Sequence, residues 1–431
     1  MQLTRLLALF IAAFSLVANA QPLEQKPADS YFEKFKPVKA PQPSHLVLQT
    51  GDRLAICGDS ITEQKMYSRI METYLTVCVP ELEITVRQYG WGGERAPGFL
   101  ARMTNDCLRF RPTIATTCYG MNDHGYRAYA PEIGQRYREA SIAVVEAFKH
   151  DGARVILGSP GCVGPKVPWA KGSAEELNLN LCELRNLDIE IAQAERIGFA
   201  DVFWPMFTTE FAAHQKYGPD YLIAGKDAVH PGWAGHLVMA YAFLKAFDLD
   251  GEIGTITVNL GSQKASVSAG HELLAFKDGE VQIKSRRYPF CAAGGDVAKD
   301  DNIRSAMTLI PFNQELNRLT LLVKGGTVKN YKVTWGAETK SYSADQLAQG
   351  VNLAADFAAN PFSEAFAKVD AAVTAKQNYE TKQIKQLFHG EEGKVDMAAT
   401  VALTEQARVP LADAIRQAFV PVTHTIKIAA E

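Results

Sequence analysis

Between about residues 50 and 250, short apolar runs alternate with stretches whose apolar residues recur three or four positions apart. Residues 54–57, 84–88, 113–118, 155–158 and 200–203 read as strands, and the stretches near 63–78, 133–149 and 178–196 as helices between them. After the first run, Tyr67, Ile70, Met71, Tyr74, Leu75 and Cys78 fall on one helical face. Strands alternating with helices predict an α/β domain with a parallel sheet, because parallel neighbours need a long crossover and a helix supplies it. Ligands of such sheets bind beyond the carboxyl ends of the strands, so functional residues are expected just after each run.

The pattern changes beyond about residue 250. Leu319, Leu321 and Val323, then Tyr331, Val333 and Trp335, alternate with polar residues around Lys324-Gly325-Gly326-Thr327, which predicts an antiparallel strand pair in a β-rich module over residues 251–345. Residues 296–302 read as an exposed loop. Asn360-Pro361-Phe362 is a helix start, asparagine at the cap and proline in the first turn, for a helix running to about Phe388 and halting at Gly390. A second helix is expected from about Met397 to Phe419, so residues 346–431 read as mainly helical. The lysines and glutamates of these helices read as a solvated face. There is no internal repeat and no catalytic constellation in this half.

At the other end, Arg5, an uncharged run from Leu6 to Val17, and Ala18-Asn19-Ala20 form the three parts of a secretory signal, cut between Ala20 and Gln21. A membrane anchor fits less well, because the run is short for a bilayer. Residues 21–48, with five prolines, read as a linker or a strap over the surface. The expected product is exported, periplasmic or secreted, without stable membrane insertion. The 47% hydrophobic content of the 431 residues allows a sizeable core, and the net charge of −3 argues against nucleic acid as a partner. Seven cysteines, an odd and widely spaced set, match neither a zinc site nor a dense disulfide framework and leave pairing open.

The chemistry sits where the alternation predicts it. The first strand ends in Gly58-Asp59-Ser60, at the start of a helix whose unpaired N–H groups suit a developing negative charge; on this stretch alone, a simple helix cap explains Asp59 and Ser60 equally well. The second is followed by Tyr89-Gly90-Trp91-Gly92-Gly93-Glu94-Arg95, which lacks the spacing and the lysine of a phosphate loop. The third is followed by Tyr119-Gly120-Met121-Asn122-Asp123-His124. Asp227 and His230, three residues apart, precede an apolar helix. Such spacing lets a carboxylate orient an imidazole, although a lone histidine is most often structural.

Taken together and in this order, Gly58-Asp59-Ser60, the glycine loop at Gly93, Gly120-x-Asn122-Asp123 and Asp227-x-x-His230 resemble the SGNH hydrolase superfamily, or GDSL esterases and lipases. The resemblance covers residues 50–250 and implies a three-layer α/β/α, flavodoxin-like fold. It implies Ser60 as nucleophile, His230 as general base and then acid, Asp227 as its orienting partner, and an oxyanion hole from the N–H groups of Ser60 and Gly93 and the side-chain amide of Asn122. Gly93 rather than Gly92 is aligned because Glu94-Arg95 follow it. Trp91 and His124 are candidates for lining the substrate cleft, or for packing; Asp59 and Asp123 are expected to brace loops, and His236 to make a structural hydrogen bond. The implied reaction needs no metal or organic cofactor. The expected activity is hydrolysis of short acyl esters, acetyl first, on a carbohydrate or small molecule. A lipid acyl hydrolase of the same mechanism and a non-catalytic carbohydrate-binding or scaffold protein are the alternatives. Oligomeric state is left open.

Overall fold

The structure is a computed structural model describing residues 21–431; the signal-peptide expectation lies outside the described residues. Strands β1 (Arg53–Gly58), β2 (Thr85–Gln88), β3 (Ile114–Cys118), β4 (Arg154–Gly158) and β5 (Gly198–Ala200) form one sheet in the order β2-β1-β3-β4-β5, every neighbour parallel. Around it lie α1 (Ser60–Glu63), α2 (Tyr67–Val77), α3 (Ala96–Asp106), α4 (Pro131–His150), α5 (Ala174–Glu195), α6 (Phe203–Tyr217) and α7 (Trp233–Ala246). Successive side chains of β1 point to opposite layers: Leu54 and Ile56 join a core with Met71 and Phe243, while Ala55 and Cys57 join one with Phe99 and Phe148. This is an α/β/α sandwich. Its strand order places the switch point between β1 and β3, the crevice where such sheets bind ligands.

The run over residues 200–203 is corrected. Its strand ends at Ala200, and Phe203 already begins α6. Phe203, Trp204, Met206 and Phe207 are all buried, and a short apolar run buried on all sides does not reveal its period. Residues 21–48 cross the β5 side of the sandwich, with Phe32 and Phe35 packed against Phe207. All seven cysteines are buried and unpaired.

The second half contains β6 (Glu252–Asn259), β7 (Lys264–Val267), β8 (His271–Lys277), β9 (Glu280–Ser285), β10 (Arg318–Lys324), β11 (Asn330–Trp335), β12 (Glu338–Ser343), β13 (Val351–Asn352) and β14 (Val422–Ala430). They build two sheets, β13-β10-β6-β7 and β12-β11-β14-β9-β8. The expected antiparallel pair is corrected: β10 runs parallel to β6, whereas β11 pairs with β12 and β14 in the other sheet. Alternation shows which face of a strand is buried but not which strand it joins, and the link after Lys324 carries the chain between sheets. The final strand β14 was not anticipated after the helices, yet it lies in the middle of its sheet. Residues 296–302 are mostly exposed, but Asp300 accepts the Leu222 N–H (3.1 Å) through its carboxylate and the Ala234 N–H (3.2 Å) through its carbonyl. They dock beside the loop that carries His230.

Short helices α8 (Ile303–Ala306) and α9 (Phe312–Glu315) precede β10, and α10 (Ala344–Gln349) and α11 (Leu353–Asp356) flank β13. Then come α12 (Ser363–Lys382), a π-helical turn over Gln383–Phe388, α13 (Glu391–Val395) and α14 (Met397–Ala418).

These helices correct the solvated-face reading. Strand β2 is an edge, and an edge leaves backbone groups to be covered. Lys376 and Arg408 donate to the Val86 carbonyl (2.5 and 3.2 Å), and Glu380 accepts the Gln88 N–H (3.2 Å). Lys376 also pairs with Glu72 (2.9 Å) and Glu380 (3.0 Å), and Arg408 with Glu380 (2.7 Å). All four charged side chains are buried, because each is needed where backbone or an opposite charge would otherwise be unpaired.

Candidate active site

Ser60 opens α1 directly beyond β1. The Asp59 side chain accepts the Ile61 N–H (3.0 Å) and so caps the helix, while the N–H of Ser60, as the first helical residue, has no acceptor within the turn. Gly58 is required by space: a Cβ there would lie 2.1 Å from Thr62 Oγ1. The strand-to-helix corner is therefore tight enough to lift Ser60 to the sheet edge.

The Ser60 hydroxyl lies 2.8 Å from His230 Nε2, and His230 Nδ1 lies 2.7 Å from Asp227 Oδ2. A carboxylate only accepts, so Nδ1 carries the proton and Nε2 is left free to accept from Ser60. The other Asp227 oxygen accepts the N–H groups of Val229 (3.0 Å) and His230 (2.9 Å). Burial alone raises the Asp227 pKa, but the His230 N–H, the His230 ring and the Val229 N–H outweigh it and hold the carboxyl below its ordinary value. Two features lock this loop. Ala228 takes a positive φ of 64°, uncommon for a residue with a side chain, and at Gly225 a Cβ would strike the His230 carbonyl at 1.8 Å.

The third loop brings Asn122 alongside. Its amide donates to the Glu94 carbonyl (3.0 Å) and to Asp59 Oδ2 (3.3 Å), and its carbonyl oxygen accepts from the Tyr126 hydroxyl (3.2 Å). Burial pushes Asp59 up to about 7, opposed first by the Ile61 N–H. Asp123 braces two loops, accepting the N–H groups of Gly120 (3.0 Å) and Ala96 (3.1 Å).

In the glycine loop, Gly92 donates its N–H to the Glu63 carboxylate, whereas the Gly93 N–H has no partner among the described residues. Gly93 is exposed, with a positive φ of 73°. The loop is held from two directions. Glu94 is clamped by Arg102 (2.6 and 2.7 Å) and by the Tyr119 hydroxyl (2.9 Å) inside the sandwich. From the C-terminal half, Lys385 pairs with Glu63 (2.6 Å), and His389 stands edge-on to the Trp91 ring (4.9 Å) while its Nε2 meets Asp106 (2.8 Å). Glu63, Lys385 and His389 were missed by sequence reasoning, and no local signal links residues some 320 positions apart.

Of the remaining candidates, Trp91 is half-buried, with Arg102 and Lys385 over its ring at 5.0 and 5.2 Å. Of the two readings of His124, cleft or packing, the structure shows packing: it is 0% exposed, and burial lowers its pKa to about 4, so it is a neutral core histidine. His236 is buried too, accepting the Tyr67 N–H (3.2 Å) and meeting Gln64 (3.1 Å). A cavity of about 810 Å³ between β2, α2 and α14 contains no candidate site residue. Among the described residues, no group of three or more His, Cys, Asp or Glu is arranged to hold a metal ion, and no helix is long and apolar enough to cross a membrane.

Residues 56–238 match the GDSL-like lipase/acylhydrolase family, and the domain built around Ser60 belongs to it. It is an SGNH-type esterase. Among solved structures, the chain is similar to BT4096, a gut microbial diltiazem-metabolizing enzyme, at 21% identity and a TM-score of 0.73, over 91% of this chain and 100% of that one. The whole architecture, second half included, is thus a shared fold. Smaller similar structures include Axe2, an acetylxylan esterase from Geobacillus stearothermophilus (21% identity, TM-score 0.39, 47% of this chain and 96% of that one). Another is LAE5, an alpha/beta hydrolase enzyme from the metagenome of Lake Arreo, Spain (22% identity, TM-score 0.39, 47% and 98%). No curated protein sequence matches.

Proposed function

We propose that this esterase is exported and removes short acyl groups, above all O-acetyl, from a carbohydrate, with Ser60 as nucleophile. The observation that carries the mechanism is the unbroken line from Ser60 Oγ through both nitrogens of His230 to Asp227, at 2.8 and 2.7 Å. A serine hydroxyl is a weak nucleophile at neutral pH, so His230 Nε2 takes its proton as Oγ bonds to the ester carbonyl carbon, and Asp227 stabilises the resulting imidazolium. The carbonyl oxygen becomes an oxyanion, held by the N–H groups of Ser60 and Gly93 and by the Asn122 amide, for which it competes with the longer bond to Asp59. Collapse expels the alcohol, protonated by His230. Water, deprotonated by the same nitrogen, then attacks the acyl-enzyme and releases the acid and Ser60.

Export is supported by the tripartite pattern of residues 1–20, and the carbohydrate by the exposed Trp169 ring beside the Asn122 loop, an amphipathic platform of the kind on which sugar faces rest. Ser60→Ala, assayed on p-nitrophenyl acetate, is expected to lose at least about 10⁴-fold in kcat with an unchanged melting temperature; a variant as fast as the parent removes Ser60 from the role. A series of acyl esters from acetyl to decanoyl, with acetylated oligosaccharides and diltiazem as further arms, tests the substrate. Rates rising toward long chains overturn the acetyl reading in favour of a lipid acyl hydrolase.

A further inference from the structure

Beside the Ser60 loops lies a second concavity, of about 360 Å³, whose wall is cationic: Arg95, Arg127, Arg136 and Lys171 line it together with Tyr126 and Trp169. It borders the loops that carry Gly93 and Asn122. Arg95 stands two residues beyond Gly93, and the Tyr126 hydroxyl donates to Asn122 (3.2 Å). Tyr126 itself takes a positive φ of 54°, which presents its ring between His124 (4.6 Å) and the edge of Trp169 (5.8 Å), and Trp169 is 47% exposed.

The positive charge is only partly offset locally. One acid stands among the lining residues, Asp123, which accepts two backbone N–H groups and feels the charge of Arg95, so four cations face a single carboxylate. Arg127 has a long, exposed contact with Glu132 (3.4 Å), and Arg136 donates to the carbonyl of that same residue (3.2 Å). The Arg95 and Lys171 side chains have neither an ion pair nor a hydrogen bond among the described residues. Four cations around a concave wall focus a positive field, and the planar guanidinium forks of the arginines match the oxygens of a carboxylate or a sulfate. The two aromatic rings offer a sugar face a surface in the same cleft.

We propose that this concavity is an anion subsite, and that the esterase acts on acidic glycans, binding a sugar carboxylate or sulfate next to the acylated unit. This rests on Ser60 being the nucleophile. The anion lies against Arg95, Arg136 and Lys171 while its ring rests on Trp169, which brings a neighbouring acyl ester toward Ser60. Neutral acylated glycans make the aromatic contact only.

The test compares kcat/KM on an acetylated oligogalacturonide, the same oligosaccharide with its carboxyls methyl-esterified, and an acetylated sulfated oligosaccharide beside its desulfated form. At least one anionic substrate is expected to exceed its neutralised form by about tenfold or more, the scale of a single charge-assisted contact, and the advantage is expected to shrink between 20 and 200 mM salt. Carboxylate and sulfate are separated by which pair shows it. In the Arg136→Gln/Lys171→Met variant the charged-to-neutral ratio is expected to fall toward one. Equal kcat/KM within both pairs, in a parent enzyme that hydrolyses p-nitrophenyl acetate and loses that activity in Ser60→Ala, overturns the anion subsite alone. Hydrolysis that survives Ser60→Ala overturns the nucleophile assignment instead.

Discussion

Two kinds of support hold the candidate site, and they come from different parts of the chain. The loops bearing Ser60 and His230 are secured by their own neighbours: Asp59 caps the helix that Ser60 opens, and Asp227 accepts N–H groups two and three residues along. The Gly92-Gly93 loop is held partly from outside the sandwich, through Glu63 to Lys385 and through Trp91 and Asp106 to His389. The proposed nucleophile and base are thus placed mainly by the sheet edge and their own loops, whereas the glycine proposed for the oxyanion depends more on the C-terminal helices. The same helices cover the edge of β2 with buried charges, so the second half is a wall of the first domain and not a passive appendage.

The largest effect is expected from deleting residues 251–431. The Tyr74 hydroxyl donates to the Leu316 carbonyl (2.6 Å), the Tyr288 N–H to the Val77 carbonyl (2.8 Å), and β2 loses Lys376, Glu380 and Arg408. Exposing an edge strand and its apolar flank is expected to give an aggregating chain without a cooperative melt; a soluble, active fragment 21–250 would break the comparison outright. Next is Asp227→Asn, expected to lower kcat by about 10⁴ with the melting temperature within a few degrees of the parent, since it disturbs the imidazole and not the frame. A loss of only a few fold would remove Asp227 from the proposed role.

A smaller effect sharpens the contrast. Lys385→Met frees Glu63 and with it the Gly92 N–H, so the neighbouring Gly93 N–H loses alignment. kcat is expected to drop about tenfold, well short of the 10²–10³ that follows from removing an oxyanion donor, with KM little changed and Lys385→Arg restoring most of the rate. An equal rise in KM with kcat intact would place Lys385 in substrate binding instead.

The smallest expected effect concerns acid. Burial, aided by His271 beside His424 and by His230 beside His236, pushes both buried histidines down to about 3. They are neutral when folded, while the unfolded chain protonates near 6.5, so stability falls as pH drops from about 6.5 toward 3. At pH 5 this amounts to about 2 kcal/mol for each histidine. His424→Gln is expected to flatten the fall in melting temperature between pH 7 and 5; an unchanged slope would show that His424 is not the buried neutral group described.

Much of this was legible before any fold was visible, for definite reasons. The parallel sheet was readable because strands buried on both faces are apolar throughout; Ser60 and Asn122 stood out because each follows a strand whose pattern marks its end, and Asp227 and His230 because they stand three residues apart just before an apolar helix. What did not follow from the residues was who meets whom at a distance. The residues around Leu321 and Val333 look like partners and belong to different sheets, since alternation marks a buried face and not a neighbour. Lys376, Glu380 and Arg408 look like a wetted surface and are buried, because a charge is admitted to the interior by its partners and those lie on β2 and α2. His124 could be read as cleft or core, and burial alone decides for core. The sequence by itself therefore determined the α/β pattern and the chemistry at the strand ends, both consequences of local periodicity and residue type. Only the tertiary structure decided how the glycine loop is held and where the positive charges gather, because both depend on contacts between residues that the chain keeps far apart.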